Sequence, residues 1–192
     1  MKKIMFNDRY GLTEAVLQGR KTMTRRVIDG AKLHWLQMQY GNNTLDWLRH
    51  VPYIPNTNVA VAQSYKTIYC FEPYQRLTEE YSQWFLRQKG LTGSKGWKNK
   101  MFVKAEFMPH QIRITDARVE RLQDISDEDC MNEGIEEHLK GVQYGYPAVV
   151  WCGQFPFSTP KAAYAALIDK ISGKGTWERN DYVWVYDFEL IK

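Results

Sequence analysis

The last extended segment of the chain, residues 182–191, constrains the fold more than any other. It reads YVWVYDFELI, and its first half is apolar at successive positions rather than at alternate ones. Because neighbouring side chains of a strand point to opposite faces, a strand of this kind needs apolar cover on both faces. The segment therefore predicts a closing strand that lies inside a barrel or beneath a helix.

Three further segments have the pattern of strands. Residues 3–6 are a short apolar run, residues 59–65 read VAVAQSY, and residues 101–122 alternate with a predicted bulge near Asp116. Most of these strands would pair with partners that are distant in sequence. Together with the closing segment they predict a fold of the α+β class with about five to six strands.

Short helices are predicted by the residues at their termini. An apolar run that starts at Leu12 is closed by Gly19. Ser126 is a candidate N-cap in a capping-box arrangement, and Gly134 ends that helix. Pro160 stands at or near the first position of a further helix, where proline is favoured. These helices would cover the openings of the sheet.

Composition argues against several classes of protein. The 192 residues are 44% hydrophobic and 14% aromatic, which predicts one globular domain. Three separated cysteines and four scattered histidines predict neither a disulfide framework nor a metal site. No apolar run approaches the roughly 18 residues of a membrane span, and the N-terminus lacks the core of a secretion signal. We expect a soluble, cytoplasmic protein with no cofactor and no membrane partner.

Residues 19–26, GRKTMTRR, are a cluster of charged and hydroxyl side chains and the most informative segment for function. Four cations, Arg20, Lys21, Arg25 and Arg26, lie within this octet beside two threonine hydroxyls. Such a cluster is suited to phosphate or nucleic-acid contact, and the net charge of +4 permits an anionic partner. A lysine crowded by other cations also has a lowered pKa, which makes it a candidate base. A solvated basic turn is the remaining interpretation.

The octet follows a short helix, and in this setting it resembles the signature of the ASCH family, which shares the β-barrel of the PUA RNA-binding domains. Residues 59–65 are similar to the second strand of the family, residues 114–135 to its third strand and following helix, and residues 182–190 to its closing strand. The likeness is greatest to the larger ASCH proteins of bacteria and their phages. It implies one domain over residues 1–192, with a PUA-like mixed barrel and short covering helices. Insertions are then expected near residues 27–57, 72–100 and 136–157.

One enzyme class in this family is a small bacterial amidohydrolase that releases acetate from N4-acetylcytidine. Carried onto this sequence, the resemblance implies Lys21 as the base, Thr24 as the nucleophile and Glu133 as the acid/base. Many relatives carry a glutamate where this chain has Gln63. The implied contacts to substrate or nucleic acid are Arg20, Arg25, Arg26, Gln63 and Tyr65.

The spacing of Lys21 and Thr24 sets a geometric condition on that assignment. Residues three apart on a regular strand point to opposite faces, so the two can cooperate only if the chain bends between them. A helix-to-strand junction after Gly19 would allow such a bend.

These residues are compatible with functions of three different classes. The first is an amidohydrolase that acts on an acylated cytidine or a similar modified nucleoside. The second is a non-catalytic module that binds RNA or a modified base, with the cations of the octet on phosphate groups. A regulatory protein that uses the barrel as a scaffold is a third alternative.

Overall fold

The computed structural model describes residues 1–70, 93–138, 141–150 and 154–191. Within these ranges the chain is a mixture of helices and strands with a five-stranded sheet, which confirms the predicted α+β class. The strands are β1 (Lys3–Ile4), β2 (Met23–Val27), β3 (Asn58–Val61), β4 (Gln111–Arg121), β5 (Glu136–His138), β6 (Gln143–Gly145) and β7 (Tyr182–Leu190). The α-helices are α1 (Leu12–Leu17), α2 (Gly30–Tyr40), α3 (Thr44–Trp47), α4 (Tyr65–Cys70), α5 (Asp127–Asn132), α6 (Pro147–Val150), α7 (Pro160–Ser172) and α8 (Thr176–Arg179).

The sheet has the strand order β1-β3-β4-β7-β2, and β5 and β6 form a separate hairpin. Strand β1 pairs with β3 in parallel, whereas β2 pairs with β7 in the antiparallel direction. Among the described residues these pairings leave β1 and β2 at the two edges of the sheet. The closed PUA-like barrel is therefore not seen in these pairings and remains a proposal.

The chain is organised in two compact units. The first comprises residues 1–6 and 58–112, and the second comprises residues 7–57 and 113–191. The single domain implied by the resemblance stays a prediction, and most of the expected insertion at 72–100 lies outside the described residues. No helix in the described ranges combines the length and the apolar composition needed to span a membrane.

The first unit departs from the predicted strand pattern. Residues 101–107 alternate in hydrophobicity, yet two 3-10 turns occupy this stretch, and β4 begins only at Gln111. The reason lies in Lys3, whose Nζ donates to the carbonyl oxygens of Met101 at 2.6 Å and Val103 at 2.7 Å. Because one ammonium group satisfies these carbonyls, they do not need a neighbouring strand. The predicted strand 59–65 is likewise shorter than expected and ends at Val61.

Both ends of α5 and the start of α7 at Pro160 follow the sequence prediction. The Ser126 side chain accepts a hydrogen bond from the backbone N–H of Asp129 at 3.0 Å, and Gly134 has a φ of +97°. Thr159 caps α7 by accepting from the N–H of Ala162 at 3.1 Å. Local capping chemistry therefore places both helices that supply residues to the site described below.

Strand β7 is covered on both faces, as its sequence predicts. Trp184, Val185 and Tyr186 are successive residues, and all three are buried. The ring of Tyr53 packs edge-on against that of Tyr186, with the ring centroids 5.3 Å apart. Because β2 pairs with β7, the second half of the octet is built into the core of the second unit.

Candidate functional site

The first half of the octet is a sharp junction between α1 and β2. Gly19 has a φ of +71°, a left-handed conformation that glycine adopts without steric cost. The backbone N–H groups of Arg20 and Lys21 both donate to the carbonyl oxygen of Ala15, at 2.9 and 3.0 Å. The junction turns the chain immediately before Lys21, so this turn precedes the segment between Lys21 and Thr24 in which the sequence analysis required a bend.

Thr22, in the middle of the octet, is fixed by backbone contacts on both sides. The N–H of Thr22 donates to the carbonyl oxygen of Asn132, the last residue of α5, at 2.9 Å. The carbonyl oxygen of Thr22 accepts from the N–H of Phe188 on β7 at 2.8 Å. The octet therefore lies between the end of α5 and the closing strand, so residues far apart in sequence become neighbours.

Lys21 and Glu133 form a buried ion pair at this junction. The Lys21 Nζ donates to the Glu133 carboxylate and, at 2.8 Å, to the Glu133 carbonyl oxygen. Only 1% of the Lys21 side chain and 5% of the Glu133 side chain are exposed. Glu133 is the C-cap residue of α5, so the ammonium group also binds a carbonyl at the helix end, where backbone carbonyls have no partner within the helix. Two of the three residues implied as catalytic are therefore in direct contact.

The second carboxylate oxygen of Glu133 faces two other buried groups. The Tyr164 hydroxyl lies 3.5 Å from Oε1, and the Arg25 Nη1 lies 3.7 Å from the same atom. Both side chains are buried. The Glu133 carboxylate is thus surrounded by two cations and one hydroxyl.

Arg25 links Glu133 to a wider network of charged side chains. Its Nη2 donates to Asp129 at 2.6 Å and to Glu120 at 3.0 Å. Arg118 donates through Nε to Glu120 at 2.6 Å and through Nη1 to Asp187 at 2.5 Å. The charge of Arg25 is therefore balanced by carboxylates on this face, which limits its use as a phosphate contact.

Burial shifts the proton affinities of the site. It lowers the pKa of Lys21 from the usual 10.5, with Glu133 opposing the shift and Arg26 and Arg25 adding to it. The lowered pKa that the sequence analysis expected is confirmed, although burial rather than the neighbouring cations is its main cause. Burial also raises the pKa of the Tyr164 hydroxyl well above its ordinary value and the pKa of the Cys130 thiol to about 12. Cys130 is therefore a protonated thiol and no nucleophile at neutral pH.

Thr24 occupies the opposite side of β2 from Arg25. It is buried and lies directly across from Tyr186 in the antiparallel pairing. Because side chains alternate along a strand, Thr24 shares its face with Arg26, while Arg25 points to the face that carries Glu133. The structure joins Lys21 to Glu133, and the implied role of Thr24 as nucleophile stays a prediction.

The residues implied as substrate contacts lie in several environments. Arg20 pairs with Glu136, and Arg26 is half-buried. Gln63 and Tyr65 are buried in the first unit, after the end of β3. Their binding roles stay predictions.

Sequence reasoning missed several members of the site. Tyr164 lies in an inner stripe of α7 that otherwise holds apolar side chains, so the pattern predicts core packing rather than a hydroxyl beside Glu133. A tyrosine among such residues is itself a signal, since a buried hydroxyl usually has a hydrogen-bond partner. The carboxylates around Arg25 come from β4 and α5 with its C-cap, the carboxylate of Asp187 on β7 binds Arg118, and no local pattern connects them. The other members that were missed are Glu120, Asp129, Arg118 and Asp187.

Comparison of the chain with family models, with curated proteins and with solved structures finds no match. Within the described ranges, no group of three or more His, Cys, Asp or Glu side chains is arranged to hold a metal ion. Proposals about function therefore depend on the chemistry of the residues themselves, above all on the buried lysine–glutamate pair.

Proposed function

We propose that the chain is an ASCH-type protein with a PUA-like fold that hydrolyses the amide of an N4-acylated cytidine, such as N4-acetylcytidine. One observation carries this proposal: Lys21 is buried, has a lowered pKa and contacts Glu133 directly. The two residues are 112 positions apart in sequence. The family resemblance selects these same residues as base and acid/base without reference to the fold, and their contact supports the assignment.

The proposed chemistry uses the lysine in its amine form. In the proposed step the Lys21 amine takes the proton of the Thr24 hydroxyl, and the threonine oxygen attacks the acetyl carbonyl carbon. Because alternation along β2 turns Thr24 to the face opposite the one that carries Glu133, the step requires the hydroxyl to be brought to the amine when substrate binds. The carbon–nitrogen bond breaks when the exocyclic nitrogen of the base receives a proton from the Lys21–Glu133 pair, and cytidine leaves. A water molecule then attacks the threonine ester, which releases acetate and restores the hydroxyl.

The Thr24 step is tested by two matched variants. Thr24→Val keeps the shape of the side chain but removes the hydroxyl, so we expect it to abolish acetate release from N4-acetylcytidine. Thr24→Ser keeps a hydroxyl and should retain measurable turnover. Product formation is followed by chromatography of cytidine and acetate. Full activity of Thr24→Val would contradict the nucleophile assignment and leave a Lys21-activated water as the attacking group.

The pH dependence of hydrolysis follows from the direction of the Lys21 shift. The amine is the active form, so kcat/KM should rise with pH as Lys21 loses its proton and then level off. Because burial lowers the pKa of Lys21, the midpoint of this rise should lie below pH 10.5. The measurement is kcat/KM between about pH 5 and about pH 10 in buffers of constant ionic strength. A profile that falls with rising pH over this range would contradict the role of Lys21 as base.

Phosphate binding by the octet is less well supported by the same contacts. Arg20, Lys21 and Arg25 each contact a carboxylate of the protein. A cation whose charge is balanced in this way adds little to the electrostatic attraction that governs nucleic-acid affinity. The hydrolase is therefore the function that the geometry favours over an RNA-binding module.

A further inference from the structure

The two oxygens of the Glu133 carboxylate have different partners. Oε2 contacts the Lys21 ammonium group, whereas Oε1 lies 3.5 Å from the Tyr164 hydroxyl and 3.7 Å from the Arg25 Nη1. Tyr164 reaches this point from α7, while Arg25 reaches it from β2. The carboxylate is therefore fixed from two further elements besides the segment that carries Lys21.

Packing alone does not account for the hydroxyl of Tyr164. The ring lies edge-on to Trp177 with the centroids 6.2 Å apart, a contact that a phenylalanine would also make. Tyr164 is only 2% exposed, and a buried hydroxyl is costly unless it has a hydrogen-bond partner. Its contact with Glu133 is long for an O–H···O bond, so it can shorten when Lys21 loses its proton and no longer neutralises the carboxylate.

We propose that Tyr164 is a positioning residue, which shares the negative charge of Glu133 through Oε1 and thereby favours the uncharged amine form of Lys21 near neutral pH. The physical reason is that a carboxylate that also accepts from a hydroxyl attracts the lysine proton less strongly. The catalytic consequence rests on the proposed hydrolase function. The effect on the titration midpoint of Lys21 does not rest on that function, because it depends only on the contacts of the folded protein.

The charged and titratable neighbours of this pair come from three elements. Cys130 and Glu133 belong to α5 and its C-cap, Arg25 and Arg26 to β2, and Tyr164 to α7. The arginines stay protonated at accessible pH, and burial keeps Cys130 and Tyr164 protonated as well. These four groups therefore hold one charge state while Lys21 titrates. Asp129 and Glu120 balance Arg25.

The first arm of the test measures the protonation of Lys21 directly by NMR. The protein is labelled with [13Cε]lysine, and the Lys21 signal is assigned by its absence from the Lys21→Arg spectrum. Tyr164→Phe removes the hydroxyl but keeps the ring, and we expect the Lys21 titration midpoint to move to higher pH. Tyr146→Phe, which alters another buried tyrosine of the same unit, should leave the midpoint unchanged.

The second arm uses N4-acetylcytidine as substrate. Tyr164→Phe should shift the rising limb of kcat/KM in the same upward direction, lower kcat at neutral pH about tenfold, and regain activity as the pH is raised. A folded Tyr164→Phe protein whose Lys21 midpoint equals that of the wild type would overturn the positioning role. If the wild type releases no acetate, the hydrolase proposal fails, while the NMR arm still decides the inference about Tyr164.

Discussion

Lys21→Arg should lower kcat/KM for N4-acetylcytidine by about 10²- to 10⁴-fold, the usual contribution of a general acid–base group. Arginine keeps the positive charge opposite Glu133, but its pKa is too high for it to act as a base. The substitution therefore separates the charge of the ion pair from the ability of Lys21 to accept a proton. Initial rates of cytidine release, measured at neutral pH, give the comparison.

Two controls make this result specific to Lys21. Lys170→Ala alters an exposed lysine in the last turn of α7 and should leave the rate unchanged. Urea unfolding of Lys21→Arg establishes that the assayed protein is folded. A folded Lys21→Arg protein with wild-type kcat/KM would remove Lys21 from the chemistry and make the ion pair a structural feature.

The second large effect concerns stability rather than rate. Lys21→Met leaves the buried Glu133 carboxylate without its closest cation, and we expect the free energy of unfolding to fall by about 3–5 kcal/mol. The double variant Lys21→Met with Glu133→Met removes both charges and fills the space with apolar atoms, so most of the loss should be recovered. Arg25 does not become an unpaired charge in the double variant, because Asp129 and Glu120 remain bound to it.

A double-mutant cycle by urea unfolding measures this coupling. The four proteins are the wild type, the two single variants and the double variant. Their free energies of unfolding are compared under the condition that the dependence on urea concentration, the m value, is the same for all four. A double variant whose loss of stability relative to the wild type equals the sum of the two single losses would show that the two side chains act independently. Such additivity would contradict the buried pair as the structural centre of the site.

The features of the fold that could be predicted from sequence are those set by neighbouring residues. Ser126 caps α5 because its side-chain oxygen satisfies an N–H group three residues ahead, and α7 begins at Pro160, where proline is favoured. The burial of β7 on both faces follows from its continuous apolar run in the same way. Residues 101–107 were predicted wrongly because apolar alternation does not distinguish a strand from successive 3-10 turns, whose carbonyls Lys3 binds from far along the chain.

The site was only partly accessible to sequence reasoning. The octet shows its chemistry locally, but the contact of Lys21 with Glu133 spans 112 positions and was implied by family resemblance rather than by any pattern in the residues. Tyr164 was hidden because a tyrosine in an apolar stripe has the periodicity of a core residue. The main cause of the lowered Lys21 pKa was missed for a similar reason, since burial is a property of the packed fold.

The most direct test of the central claim is the release of acetate and cytidine from N4-acetylcytidine by purified wild-type protein, beside Lys21→Ala with and without a small primary amine such as methylamine. The account predicts equimolar products from the wild type, loss of turnover in Lys21→Ala, and partial recovery when the amine enters the space left by the lysine side chain. No acetate from folded wild-type protein, or equal release by Lys21→Ala without added amine, would contradict it.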